Sequence, residues 1–174
     1  SNPYEVPVSI NLQGKWKFKP GDELERKAMN FDDKNWNEIF VPGKWEDQGY
    51  RDYDGYGWYR KSFYYKGGLN DEKVVLMLGR IDDVDEVYLN GVKVGMTGDF
   101  SSQENRRIQT GEHYRALRGY FIDADMLKKG QQNTIAVRVY DAGGEGGIYE
   151  GPIGFLTQSE YIDYWRKRKR SAKE

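Results

Sequence analysis

Residues 74–95 restrict the possible fold more than any other part of this sequence. Residues 74–78 are apolar on both faces of an extended chain, which predicts a strand buried between two layers. Residues 86–89 and 92–94 alternate apolar and polar side chains, which is typical of half-buried strands. Between them, Asn90 and Gly91 both tolerate positive φ, as a type I′ turn requires. The sequence therefore predicts a β-hairpin that turns at Asn90-Gly91.

This turn also fixes the register of the predicted hairpin. A two-residue turn places residues at equal distances from it opposite each other, so apolar residues share one face and polar residues the other. The predicted cross-strand pairs are Leu89 with Val92 and Val87 with Val94 on the core side, and Tyr88 with Lys93 on the other.

The composition favours one all-β domain. The chain has 174 residues, of which 15% are aromatic and 21 are glycine, a balance typical of short strands joined by tight turns. Lys and Arg number 27 against 28 Asp and Glu, so no net field attracts nucleic acid. The absence of cysteine excludes disulfides and thiolate chemistry. No apolar run is long enough for a membrane span.

Further strands are predicted where apolar and polar residues alternate. They cover residues 14–19, 39–41, 58–65, 120–122, 134–141 and 148–155. Trp16 and Trp36 are expected in the core because a tryptophan flanked by such alternation usually packs. The predicted fold is an antiparallel jelly-roll β-sandwich with a short C-terminal helix. Its predicted core includes Leu76, Leu78, Val87, Leu89, Val137 and Val139.

The C-terminal residues differ from the rest in pattern. Thr157 and Glu160 have the spacing of a helix capping box, and basic residues fill positions 166–170. Residues 1–156 are therefore predicted to form the sandwich and residues 157–174 a C-terminal helix or basic tail. The apolar face predicted for that helix consists of Tyr161, Ile162, Tyr164 and Trp165.

Three sequence blocks carry a family resemblance: GWYRKSF at 57–63, LGRIDDVDEVYLNGVKVG at 78–95 and NTIAVRVYDAGGEGGIYEGPIG at 133–154. Over about residues 10–156 the chain resembles the sugar-binding jelly-roll domain of glycoside hydrolase family 2 enzymes, which is galactose-binding domain-like. It also resembles the related domain of sialate O-acetylesterases. The resemblance implies an accessory β-sandwich, with the catalytic residues on another domain. It further implies a bacterial periplasmic or cell-surface (extracellular) location.

Catalytic motifs are absent from the sequence. There is no nucleophile elbow, phosphate loop or zinc-binding motif, and His113 is the only histidine. Asp82, Asp83, Asp85 and Glu86 form the densest acidic cluster and are expected to shape a turn by accepting backbone N–H bonds. The prediction is no cofactor, with a structural calcium ion left open because hard oxygen ligands cluster here and jelly-roll relatives sometimes hold one.

Aromatic residues in the irregular segments are the candidates for sugar binding. A pyranose needs a flat ring for its C–H face and planar polar groups for its hydroxyls. Residues 44–57 supply both, and two other segments could form flanks. The predicted sugar-binding residues are Trp45, Tyr50, Arg51, Tyr53, Asp54, Tyr56, Arg106, His113, Tyr114, Arg115, Glu145, Tyr149 and Glu150.

Three functions are compatible with these features. The first is a noncatalytic module that binds a glycan weakly, and the second is an accessory domain that docks on a glycosidase or esterase catalytic domain without binding sugar. The third is a small glycan-active hydrolase, which requires two convergent carboxylates in a cleft. A solvent-facing platform of Trp45, Tyr53 and Tyr56 favours the first function, whereas burial of these rings favours the second.

Overall fold

The computed structural model describes residues 6–100 and 113–173. They form an antiparallel two-sheet sandwich, as predicted. The strands are β1 (Ile10–Asn11), β2 (Gly14–Pro20), β3 (Asn37–Val41), β4 (Gly55–Tyr65), β5 (Lys73–Asp82), β6 (Val84–Leu89), β7 (Val92–Thr97), β8 (Leu117–Asp123), β9 (Gln131–Asp141) and β10 (Gly147–Thr157). One helix, α1 (Gln158–Lys173), follows β10. Short 3₁₀ turns lie at Leu24–Lys27, Trp45–Gln48, His113–Arg115 and Ala124–Met126.

The two sheets differ in width. The smaller sheet has the strand order β1-β10-β5-β8, and the larger has the order β3-β2-β4-β9-β6-β7. Every strand pair is antiparallel. The main core lies between the sheets, and Trp16 belongs to it. The six predicted core residues all have no exposed surface: Leu76, Leu78, Val87, Leu89, Val137 and Val139.

The hairpin between β6 and β7 turns at Asn90 and Gly91, whose φ angles of 51° and 85° fit the predicted turn. Leu89 pairs with Val92 and Tyr88 with Lys93, as expected. The prediction for Val87 was wrong, because a register shift pairs it with Gly95 instead of Val94. Val92 is also exposed rather than in the core, since β7 is an edge strand of the wider sheet.

Helix α1 covers the outer face of the smaller sheet. Its Tyr161, Tyr164 and Trp165 pack on a small cluster that includes Val75 and Met77 of β5. Ile162, which was predicted on the same apolar face, points to solvent instead. The predicted capping box is present. The backbone N–H of Thr157 donates to Glu160 Oε1 at 2.9 Å, and the N–H of Glu160 donates to Thr157 Oγ1 at 3.1 Å.

The outer face of the larger sheet carries a second small cluster around Trp36, Trp58 and Tyr88. Arg60, from β4, is buried beside this cluster and holds residues 26–33, which precede β3, in place. Its guanidinium donates to Asp33 Oδ2 at 2.8 Å and to backbone carbonyls of residues 26–31. This charged anchor is stable in a buried position because its donors all have acceptors.

No helix within residues 6–100 and 113–173 combines the length and apolar character needed to cross a membrane.

Candidate functional site

Two connections between the sheets lie side by side at one end of the sandwich. The chain passes from β5 to β6 at Asp83, and it returns from β9 to β10 through residues 142–146. Strand pairing holds the connections together, since Asp82 pairs with Gly147 and Val84 with Tyr140. Residues that are distant in the sequence therefore share this end of the sandwich.

An open cleft of about 620 Å³ lies at this end. Its walls combine two aromatic rings, acidic side chains and glycine-rich backbone. The lining residues are Asp82, Asp83, Tyr114, Ala142, Gly143, Gly144, Glu145 and Tyr149. Three of them, Tyr114, Glu145 and Tyr149, are among the sugar-binding residues predicted from the sequence.

Three carboxylates converge at the base of the cleft. One oxygen from each of Asp82, Asp83 and Asp141 lies within 4.8 Å of the other two. The backbone N–H of Ala142 donates to Asp83 Oδ2 at 3.0 Å, and that of Gly143 donates to Asp141 Oδ1 at 3.1 Å. Asp83 thus accepts a backbone N–H bond, as the turn-shaping role predicts. This triplet has the ligand type and spacing of a metal site.

The crowding of these carboxylates changes how readily they ionise. Burial raises the pKa of Asp82 to about 9, and a hydrogen bond to Asp83 and the charges of Asp83 and Asp141 act in the same direction. Burial likewise raises the pKa of Asp141 to about 7, although the N–H of Gly143 opposes the shift. In the absence of a cation the three groups therefore do not all carry full charge at neutral pH.

The other two members of the acidic run have structural roles. Asp85 is fully buried and accepts a hydrogen bond from Arg118 Nε at 2.8 Å and another from the Tyr120 hydroxyl. Glu86 accepts a hydrogen bond from the Tyr88 hydroxyl at 2.6 Å. Successive residues of a strand point to opposite faces, which separates these two side chains, and neither is among the residues that line the cleft.

One flank of the cleft is the 3₁₀ turn at His113–Arg115, which two arginines hold in place. Arg118 donates to the carbonyl oxygens of Asp83, at 2.9 Å, and of His113. Arg80 donates to the Arg115 carbonyl at 3.0 Å and pairs with Glu150 at 2.7 Å. The Tyr149 hydroxyl donates to the Tyr114 carbonyl. The predicted residues His113, Tyr114, Arg115, Tyr149 and Glu150 therefore do meet on this flank.

The opposite flank is the glycine-rich connection of residues 142–146, which is anchored to the start of the loop formed by residues 44–57. The N–H of Gly146 donates to both oxygens of Glu46, at 2.7 and 2.9 Å, and Lys44 pairs with Glu145 at 2.6 Å. Gly146 lies directly on the indole of Trp45, where a Cβ atom would come within 2.1 Å of the ring. Only glycine fits there without displacing the indole.

The predicted platform of loop aromatics is not solvent-facing. Trp45 has no exposed surface, and its indole N–H donates to the Tyr53 carbonyl at 3.2 Å. Tyr50 and Tyr53 pack against the main core. The hydroxyl of Tyr53 donates to the Tyr56 carbonyl at 2.5 Å. Trp45 therefore offers no ring face to a sugar, and these rings stabilise the loop.

Among the described residues, three other predicted residues are not part of the cleft lining. Tyr56 is half-buried, with its ring 4.9 Å from the Arg138 guanidinium and stacked on Phe100. Arg51 and Asp54 are exposed on the loop. Arg106 lies outside the described residues.

Sequence reasoning missed Asp141 as a site residue. It was interpreted only as the end of a strand, although its position offers a signal. The apolar strands β5 and β9 each end in an aspartate, at Asp82 and Asp141. Carboxylates at the ends of two buried strands can meet if those ends are adjacent, which here depends on the sheet topology.

Comparisons with known proteins agree with this architecture. The chain is 26% identical over 151 residues to a β-glucuronidase of Formosa agariphila and 28% identical over 145 residues to a putative β-glucuronidase of the same bacterium. The matches cover 79% and 76% of this chain but only 14% and 12% of those proteins. No protein-family model matches the chain.

Solved structures share the fold. A β-glucuronidase 2 of Bacteroides uniformis matches with a TM-score of 0.61 and 24% identity, over 80% of this chain and 17% of that one. A glycosyl hydrolase family 2 member from Bacteroides cellulosilyticus matches with a TM-score of 0.62 and 23% identity, over 80% of this chain and 19% of that one.

The chain thus shares the β-sandwich fold of part of these proteins, and the resemblance to glycoside hydrolase family 2 enzymes stated from the sequence is confirmed. The two Formosa agariphila relatives carry the name β-glucuronidase or putative β-glucuronidase. This chain spans about an eighth of the length of each. The likeness to the sialate O-acetylesterase domain stays a prediction.

Proposed function

We propose that the chain is a noncatalytic accessory domain that binds carbohydrate weakly in the cleft between Tyr114, Glu145 and Tyr149. The observation that carries this proposal is the open cleft of about 620 Å³, in which two aromatic rings lie beside carboxylates and the exposed backbone of Gly143 and Gly144. A sugar ring presents apolar C–H faces and hydroxyl edges, so it matches such a mixed surface.

The charge of the cleft favours a neutral or acetylated sugar. Asp82, Asp83 and Glu145 line it, and two cationic side chains are engaged in ion pairs, Lys44 with Glu145 and Arg80 with Glu150. Carboxylates accept hydrogen bonds from hydroxyls but repel anions. A shallow site of this kind buries little ligand area, so we expect a Kd of about 0.1 to 1 mM.

The same proposal includes a catalytic partner domain and a location outside the bacterial cytoplasm. The support is that the chain matches only 12% and 14% of curated relatives that are named as glycosidases. Residues 1–156 would serve as the sandwich unit, with residues 157–174 as an appended segment.

A glycan array followed by NMR titration of the ¹⁵N-labelled chain tests the binding proposal. We expect chemical shift changes at Gly143, Gly144 and Tyr149 that saturate at about 10 mM sugar or below. Tyr114→Ala should abolish them, because its ring lines the cleft while its carbonyl still accepts the Tyr149 hydroxyl. Tyr64→Ala is the matched control, since Tyr64 is 59% exposed on β4 and does not line the cleft. No response to any glycan would refute sugar binding.

Burial of the loop aromatics supports a second candidate, an accessory domain that docks on a catalytic partner without binding sugar. Trp45 and Tyr53 act as packing residues, and burial of these rings favours the docking function over sugar binding. Their burial makes residues 44–57 a rigid surface, and rigid loops suit protein docking. A negative glycan array would leave this candidate standing.

A further inference from the structure

We propose that Asp82, Asp83 and Asp141 bind a calcium ion at the base of the cleft. This inference does not rest on sugar binding and would hold if the cleft bound no glycan. It depends on three features of the described residues: the distances between the carboxylates, a buried oxygen of Asp141 that has no hydrogen-bond partner, and the type of ligand atoms that the site offers.

The distances fit a single ion. Calcium takes oxygen ligands at about 2.3 to 2.6 Å, so two ligands on opposite sides of one ion are at most about 5 Å apart. One oxygen from each of the three aspartates lies within 4.8 Å of the others. All three can therefore contact one ion together. The two carboxyls of a glycosidase instead stand on either side of a substrate bond, and these three converge on one point.

Asp141 supplies an independent observation. Its side chain has no exposed surface, and its Oδ2 atom is buried without any hydrogen-bond partner among the described residues. Its other oxygen accepts only the N–H of Gly143 in the hydrogen bonds of the described chain. A buried carboxylate oxygen without a partner is costly, and a bound cation would satisfy it.

The nearby cations do not balance this charge. Within the described ranges no lysine or arginine forms an ion pair with Asp82, Asp83 or Asp141. Lys44 is paired with Glu145, Arg80 with Glu150 and Arg118 with Asp85. A buried carboxylate is normally paired with a cation, bound to a metal or protonated, and within the described ranges no pairing with a cation is present here.

The ligand type favours calcium over other metals. The site offers carboxylate oxygens only, which suits hard cations rather than zinc or copper. Calcium accepts an irregular shell completed by water, whereas magnesium demands near-octahedral geometry at about 2.0 to 2.1 Å. Asp83 and Asp141 are buried while Asp82 is half-buried and faces the cleft, so the cleft gives both an entry path and water ligands.

The test is calcium binding by the full chain after chelator treatment and buffer exchange. Isothermal titration with CaCl₂ should show one saturable site. The Tm should rise by about 5 to 10 °C when Ca²⁺ is about a hundredfold above its Kd. MgCl₂ and NaCl at matched ionic strength should produce a much smaller rise.

Two variants locate the site. Asp141→Asn keeps the shape of the side chain and the acceptor for Gly143 N–H, but it should remove the calcium response. Because the substitution also removes a buried charge, the Tm of the calcium-free variant should be no lower than that of the parent. Asp82→Asn, at the half-buried position, should weaken calcium binding, with a Kd for Ca²⁺ at least tenfold higher than that of the parent. Glu145→Gln is the matched control, since Glu145 lines the cleft outside the triplet, and it should retain the full response.

The proposal fails if the parent chain shows neither heat nor a Tm shift with Ca²⁺. It also fails if Asp141→Asn responds like the parent, because the ion would then bind elsewhere. An equal response to Mg²⁺ or Na⁺ would overturn the assignment to calcium. Metal analysis of the chain purified without chelator, at about one calcium per chain, would support it.

Discussion

Asp71 accepts two hydrogen bonds from Ser159, one from its backbone N–H at 3.0 Å and one from its hydroxyl at 2.7 Å, across 88 residues of sequence. Ser159 lies in the first turn of α1, where backbone N–H groups lack partners within the helix. A carboxylate at this position also interacts favourably with the helix dipole. The turn before β5 therefore provides a cap for the helix that covers β5.

This contact predicts that acid weakens the attachment of α1. The hydrogen bonds from Ser159 lower the pKa of Asp71 from 3.8. Burial alone would raise the pKa of Glu160, but hydrogen bonds from Thr157 and Ser9 outweigh it and lower the pKa from 4.5. Folded-state values below the unfolded ones mean that both groups stabilise the fold above about pH 4.5 and lose this effect as the pH falls through their folded values.

The fluorescence of Trp165, measured as a function of pH, can report this change. The pH profile of the parent is compared with that of the Asp71→Asn variant. We expect the packing of the helix in the parent to weaken as the pH falls below about 4. The variant should start from a weaker helix and show a smaller dependence on pH in this range. Identical profiles for the parent and the variant would contradict a capping role for Asp71.

Leu89→Ala should lower the free energy of unfolding by about 2 to 5 kcal/mol, because Leu89 has no exposed surface and its removal leaves a cavity in the core. Its cross-strand partner Val92 is 53% exposed, so Val92→Ala should change the stability by no more than about 0.5 kcal/mol. Urea unfolding of both variants measures the difference. Equal losses would place both side chains in the same environment and contradict the edge position of β7.

Arg118→Met should cost about 3 to 5 kcal/mol, since it leaves the carboxylate of Asp85 buried without its counter-charge. It also removes the donors to the Asp83 and His113 carbonyls, so the flank of the cleft should loosen. The double variant Arg118→Met/Asp85→Asn should recover part of the loss. A double variant no more stable than the single one would show that the carbonyl contacts, rather than the ion pair, carry the stability.

The isolated chain is predicted to hydrolyse neither a chromogenic β-glucuronide nor an acetyl ester. The sequence has no recognisable nucleophile motif, and the three clustered carboxylates meet at one point instead of flanking a bond. A characterised glycosidase serves as the positive control for the substrates. Turnover that disappears in Asp82→Asn would establish catalysis on this chain and restore the hydrolase hypothesis.

The sequence predicts the parts of this fold that depend on local chemistry. The Asn90-Gly91 turn and the Thr157-Glu160 capping box involve neighbours in the chain, so residue type and spacing suffice to predict them. The register shift at Val87 and the exposure of Val92 depend on how far one sheet extends beyond the other. Alternation alone does not contain this information.

The candidate site depends still more on topology. Asp83 and Ala142 are 59 residues apart and meet only because two connections between the sheets lie side by side. Aromatic residues occur in loops both where they bind glycans and where they pack against the protein itself. The sequence pattern does not distinguish these two roles. The burial of Trp45 follows from the close approach of Gly146, a contact between two different loops. Three predicted residues do line the cleft, because they were selected for their chemistry and not for periodicity: Tyr114, Glu145 and Tyr149.

The position of β5 has a consequence for the dynamics of the domain. Residues 74–79 are buried on both faces, by the core on one side and by α1 on the other, and β8 and β10 satisfy their backbone groups. Backbone amides in such a place exchange with solvent hydrogen only when the whole domain opens. Once α1 has detached, one face of the strand is in water, so exchange there should begin through partial openings. Amide exchange along β5 would thus measure how tightly the helix is held.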